Sequence, residues 1–170
     1  MASTTILRRV GIAAVVLATA FAAWGGFSYR QATTSDTIAA AAARDDALTA
    51  GRAAVATMTS LDYRSVDAGL ARWLDTSTGA LHEELKASLE GSKQQIEQAK
   101  ATTTGTVLDL AVTELDEPRG TAKLIAAVEI VVQPETGEPA TKRNRFQAEL
   151  VRTPAGWKVG GLAQVPYIPV

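Results

Sequence analysis

"LIAAVEIVV", residues 124–132, carries one polar side chain, Glu129, in an otherwise apolar run. A strand wetted on one face alternates apolar and polar residues. One that is apolar on both faces sits centrally in a sheet with cover on each side. This run, read over 120–133, is therefore the centre around which the neighbouring segments are arranged. Three more segments with a two-residue period surround it, at 104–115, 140–152 and 157–165. "EPRG", "QPETGEP" and "TPAG" separate the four, each with Pro and Gly, and connections this short join antiparallel neighbours. In the third strand Phe146, Ala148 and Leu150 alternate with Arg145, Gln147 and Glu149, giving one buried and one wet face. The second strand's pattern implies that the sheet's outer face is covered by a partner or a second copy.

Upstream the period lengthens. "DTIAAAAARDDALTAGRAAVATMT", residues 36–59, reads as a long helix, since alanine is the strongest helix former. Ile38, Ala41, Leu48, Gly51, Val55 and Met58 share a face small enough to lie close against a sheet or helix. A short helix from Ser65 to Leu74 buries Val66, Leu70, Trp73 and Leu74, and "DTSTG" ends it. A third helix, "ALHEELKASLEGSKQQIEQAKA", turns Leu81, Leu85, Leu89, Ser92, Ile96 and Ala99 inward and leaves its charges in water. Helices followed by a run of strands predict an α+β fold, with three helices on one side of a curved four-stranded antiparallel sheet.

The N-terminus poses a separate question. In "RRVGIAAVVLATAFAAWGGFSYR", residues 8–30, no charge falls between Val10 and Tyr29. Twenty helical residues rise roughly 30 Å, the thickness of a bilayer's hydrocarbon core. The rival is a signal peptide cleaved at Ala20-Phe21-Ala22. An apolar run that continues to Tyr29, with Trp24, Phe27 and Tyr29 at an interface position, favours an uncleaved transmembrane anchor. Arg8 and Arg9 precede the span, so the expected division is a cytoplasmic tail at 1–9, a single span at 10–29 and an extracytoplasmic domain at 30–170 at the plasma membrane. Ala14, Ala18, Ala22 and Gly26 recur every fourth residue, the spacing of a helix-packing stripe.

The chain has 170 residues, of which 46% are apolar and 21% charged, so it folds rather than staying disordered. Residues 30–170 hold 15 basic against 18 acidic residues, a net −3 that argues against nucleic-acid binding. With no cysteine, disulfides, thiolate metal sites and a cysteine nucleophile are excluded. His82 stands alone, since "HEELK" lacks the second histidine of a helical zinc motif, and on a charged helix it reads as exposed. Asp62, Tyr63 and Asp109 are the nearest candidates for acid–base chemistry, yet no pair converges. No cofactor or metal is expected, and the chain reads as non-enzymatic. Trp73 and Trp157 read as core anchors; alternatively Tyr63 and Trp73 form the mouth of a pocket suited to a lipid. "KRNR", residues 142–145, reads as a wet strand face that discourages edge pairing.

The order of span, long helix, two shorter helices and four strands resembles the mammalian cell entry (Mce)-associated membrane proteins of actinobacteria. The local matches are "RAAVATMTSLDYRSVDAGL", "WLDTSTGALHEEL" with its Thr78-Gly79 turn, and "GWKVGGLAQV" with Trp157. The resemblance implies a cone-shaped outer domain, similar to nuclear transport factor 2 or cystatin. It further implies an accessory or stabilising role in an Mce-type lipid or sterol importer, with importer subunits as partners and a lipid as candidate ligand. The alternatives are a membrane-tethered carrier of a small ligand and an anchored isomerase or dehydratase.

Overall fold

The computed structural model describes residues 21–28 and 36–166. The chain divides into two compact units, residues 1–42 and 43–170. In the first, residues 21–28 form a helix, α1, whose Phe21, Trp24 and Phe27 are exposed. Among the described residues no helix is long and apolar enough to cross a membrane. The expected single-pass topology, with a cytoplasmic N-terminus and an extracytoplasmic domain at the plasma membrane, finds no support in any described helix; residues 10–20 and 29 of the expected span lie outside the described residues. Of the packing stripe, Ala14 and Ala18 lie outside the described residues. Ala22 and Gly26 are exposed on α1, and a Cβ added to Gly26 would meet nothing within 4 Å.

Helix α2, Asp36–Met58, runs from the first unit into the second. A 3-10 turn at Tyr63–Ser65 leads into α3, Val66–Thr76, and α4, Gly79–Ala99, follows. Four strands complete the chain: β1 Ala101–Asp116, β2 Thr121–Pro134, β3 Ala140–Thr153 and β4 Gly156–Val165. They form one antiparallel sheet in the order β1-β2-β3-β4. Its connections bend through Gly120, Gly137 and Gly156, all at positive φ, which glycine adopts without Cβ strain.

The core lies between α2 and one face of the sheet. Ala43, Ala47, Gly51, Ala54 and Val55 turn inward along α2 onto Leu110, Leu124, Val128, Leu150 and Val159. Val55, Leu124, Val128, Leu150 and Val159 are almost wholly excluded from water, each burial contributing about 1.5–3 kcal/mol. A second cluster, Leu61, Val66 and Leu70, is closed by Trp73, Leu89 and Ile96.

These contacts correct the sequence reading in three respects. The sheet is open rather than curled into a cone: β1 and β4 are its two ends and do not pair. The space where a nuclear transport factor 2-like cone would hold a ligand is filled, because small residues bring α2 directly onto the strands. Ile38 and Ala41 are exposed, and the inward stripe is carried by alanines instead. The inward face of α4 is only half-buried, with Ala99 exposed.

Candidate functional site

Trp73 and Tyr63 have separate hydrogen-bond partners. The Trp73 indole Nε1 donates to the carbonyls of Thr57 at 2.9 Å and Ser60 at 3.3 Å, fastening α3 to the end of α2. Tyr63 faces water and donates its hydroxyl to Glu135 Oε1 at 3.1 Å. Thr78 and Gly79 form the α3–α4 turn: the Thr78 amide donates to Val159 O at 2.8 Å, and Gly79 takes a φ of 60°. Trp157 packs half-buried on the core, with the Arg152 guanidinium 4.8 Å above its ring.

The candidate acid–base residues are dispersed. Asp62 contacts Thr102, whereas Asp109 lies seven residues on in the same strand, about 23 Å away. Asp109 Oδ1 accepts from the Leu110 amide at 2.8 Å. His82 is half-buried, not exposed; its Nδ1 lies 3.0 Å from Leu74 O and 3.3 Å from Ser77 Oγ. It holds the α3–α4 turn together. Among the described residues no group of three or more His, Asp or Glu could hold a metal.

Asp62, Tyr63, Lys100, Thr102 and Glu135 form a polar clasp linking the 3-10 turn, the α4–β1 corner and the β2–β3 hairpin. Lys100 takes the left-handed conformation, φ 45°, and its carbonyl accepts from the Glu135 amide at 2.8 Å. Glu135 also accepts from Lys100 Nζ at 3.0 Å and from Tyr63, which holds its carboxyl below the ordinary 4.5. Asp62 accepts from the Arg64 amide at 3.0 Å and Thr102 Oγ1 at 2.9 Å, and lies below its ordinary 3.8. A carboxyl whose pKa is lowered by folding contributes fully above its unfolded value and loses that contribution as pH falls through its folded one. Protection factors at Tyr63–Ser65 and in the β2–β3 hairpin, that is, amide exchange divided by its intrinsic pH-dependent rate, should therefore stay level between about pH 5 and 8 and fall below about pH 4. Protection that falls instead across neutral pH would refute the clasp.

Opposite α2 the sheet presents a second face whose described residues are exposed or half-buried. Both sheet edges are partly engaged, Leu61 bridging to Thr103 on β1 and Ser77 to Val159 on β4. On the open face, register places Ala111, Ile125, Gln147 and Ala163 in one row and Asp109, Ala127, Arg145 and Val165 in the next. A bulge between Val107 and Asp109 leaves Leu108 unpaired and 49% exposed, and Ile125 is 38% exposed. Ion pairs border this apolar centre: Lys123–Glu114 at 2.8 Å toward the β1–β2 hairpin and Arg143–Glu129 at 2.9 Å toward the β2–β3 hairpin. An open hollow adjoins each pair, of about 580 Å³ beside Glu114, Lys123 and Glu149, and about 290 Å³ beside Leu108, Ala127 and Arg143. The β3 alternation announced a wet face. The placement of Leu108 was not legible, because a bulge reverses which face a residue occupies.

The fold is shared with solved components of type IV secretion systems. An IcmL-like type IV secretion system protein from Legionella pneumophila is 12% identical, with 75% of this chain and 95% of that one covered at a TM-score of 0.61. The periplasmic domain of DotI, 12% identical, covers 71% and 93% at 0.59. CagV, a VirB8 homolog from Helicobacter pylori, 11% identical, covers 73% and 99% at 0.58. No curated protein matches the chain.

These findings overturn the Mce resemblance. With it go the importer-accessory function, the importer subunits, membrane and lipid as partners, and the cystatin-like cone. The short motifs that carried it are packing features here: the Thr78 amide donates to Val159 O, the end of α2 accepts from Trp73, and Trp157 packs on the core. Among the described residues the candidate acid–base groups Asp62, Asp109 and His82 have separate partners, and the fold is one shared with secretion-system components. A family model described as "Uncharacterized protein Rv1363c/MT1408-like" matches residues 4–166, and the chain belongs to that family.

Proposed function

We propose that the chain is a non-catalytic assembly subunit that binds other protein subunits of a secretion-type machine through the helix-free face of its sheet. The observation that carries this reading is the exposure of Leu108 and Ile125 at the centre of that face, between two bordering ion pairs. An apolar centre with a charged rim is the anatomy of a protein interface, and a few central residues dominate its energy. The shared fold of the type IV secretion components supports the choice of partner class. A packed interior and open hollows favour protein over a small ligand, which prefers an enclosed apolar pocket.

The test is copurification of full-length tagged chain with its native partners, identified by mass spectrometry. Leu108→Glu with Ile125→Glu should lower partner recovery at least about tenfold, since central residues of this kind contribute about 2 kcal/mol or more each. Thermal unfolding should change little, because both side chains are already exposed. Recovery equal to wild type would end the proposal for this face.

A further inference from the structure

The open face has an internal symmetry that names one partner. Ala126 pairs with Phe146 across β2 and β3. Three residues to one side lies the row Glu114–Lys123–Glu149, and three residues to the other lies Thr106–Glu129–Arg143. Along these rows the charges run minus, plus, minus and neutral, minus, plus.

We propose that this face docks on the same face of a second copy of the chain, strands antiparallel, about a two-fold axis crossing the strands at the level of Ala126 and Phe146. The proposal rests on the reading above that the face binds protein. The axis lays one charged row over the other. Lys123 then faces the partner's Glu129, and Glu149 faces the partner's Arg143, each pair occurring twice by symmetry. Ile125 lies over the partner's Ala127, and Ala163 over the partner's Val165. Glu114 meets Thr106, Ala111 meets Asp109 and Gln147 meets Arg145, so no like charges oppose one another. Packed sheets keep their strands within about 30°, which at three residues from the axis, about 10 Å, displaces facing groups by about 5 Å. Lysine, arginine and glutamate side chains span that. The hollows beside Glu149 and Arg143 give the opposing long side chains room.

A face that was only a wet strand surface would show no such relation between its two ends. Here Lys123 is already flanked by two carboxylates, Glu114 at 2.8 Å and Glu149 beside it in register. A second copy supplies Glu149 with a cation of its own.

The chain's lack of cysteine makes the test direct. Full-length Glu149→Cys and Arg143→Cys are treated with a short bis-maleimide, separately and as an equal mixture. In the proposed dimer identical positions lie six strand residues apart, about 20 Å, whereas 149 and 143 face one another across about 10 Å. Covalent dimer is expected in the mixture and absent from either variant alone. Wild type should sediment as a dimer of the 17.8 kDa chain, and Ile125→Glu as a monomer. Equal crosslinking in the single variants and the mixture would overturn the axis. A wild type that sediments as a monomer at every concentration would overturn the dimer. If that monomer still recovers other proteins through Leu108 and Ile125, only the second-copy proposal fails. If the dimer forms and no other protein is recovered, the secretion-subunit reading fails instead.

Discussion

Gly51→Leu is expected to unfold the 43–170 unit or leave it at the edge of unfolding. Gly51 sits on the buried face of α2, and even a bare Cβ there would overlap Leu124 Cδ1, with Leu150 Cδ1 at 3.4 Å and Leu110 Cδ2 at 3.6 Å. Leu124 and Leu150 are at most 1% exposed, so neither can swing into solvent. Two effects oppose each other in Gly51→Ala. Replacing glycine inside a helix gains about 1 kcal/mol, while overpacking costs about 1–3 kcal/mol, so alanine should lower stability modestly. Leucine adds three more carbons to the same space, and a loss of at least about 3 kcal/mol is expected. That is a large share of the 5–15 kcal/mol typical of a domain. Urea unfolding would measure both. The double variant Gly51→Ala/Leu124→Ala should be more stable than the sum of its parts predicts, because the second change makes room for the first. An increase in stability for Gly51→Ala alone would show that α2 does not lie this close to β2.

Trp73→Ala should cost about 3–5 kcal/mol. The indole closes the cluster of Leu61, Val66 and Leu70, and its Nε1 satisfies carbonyls at the end of α2 that a helix terminus leaves without partners. Trp73→Phe separates the two contributions: it retains most of the packing and loses the hydrogen bonds, an expected loss of about 1–3 kcal/mol. Thermal unfolding of both variants checks this. A change below about 0.5 kcal/mol in both, the scale of an ordinary surface substitution, would mean that Trp73 stands at a surface rather than as a fastening.

The strands were the most legible part of the chain. Their two-residue alternation and the Pro and Gly between them placed all four within about three residues of their observed ends. The length of α2 was also readable, from alanine. At its N-terminal end the period puts Ile38 and Ala41 on the inward face, whereas the buried stripe runs through Ala43 and Ala47. Against a sheet at close range the smallest residues mark the contact, and Gly51 is the extreme case. A charged helix predicts an exposed His82, yet His82 serves the turn between α3 and α4 through Leu74, which only the folded turn brings near.

The candidate site was half legible. That β3 presents Arg145, Gln147 and Glu149 on one face followed from alternation alone. That Leu108 joins them depended on a bulge, and bulges arise from strand pairing rather than from local composition. The resemblance to Mce-associated proteins rested on element order and short packing motifs, and these are features that unrelated families with the same layering share.

The sequence by itself determined the α+β layering with four antiparallel strands, the approximate strand boundaries, and the absence of thiol and metal chemistry based on cysteine. Tertiary structure alone decided that the sheet stays open, that α2 packs directly on the strands, and that charged rows lie three residues either side of Ala126. The physical reason is range. Periodicity, propensity and turn chemistry act over a few neighbouring residues, whereas register, bulges and close approach are set by contacts between residues dozens of positions apart.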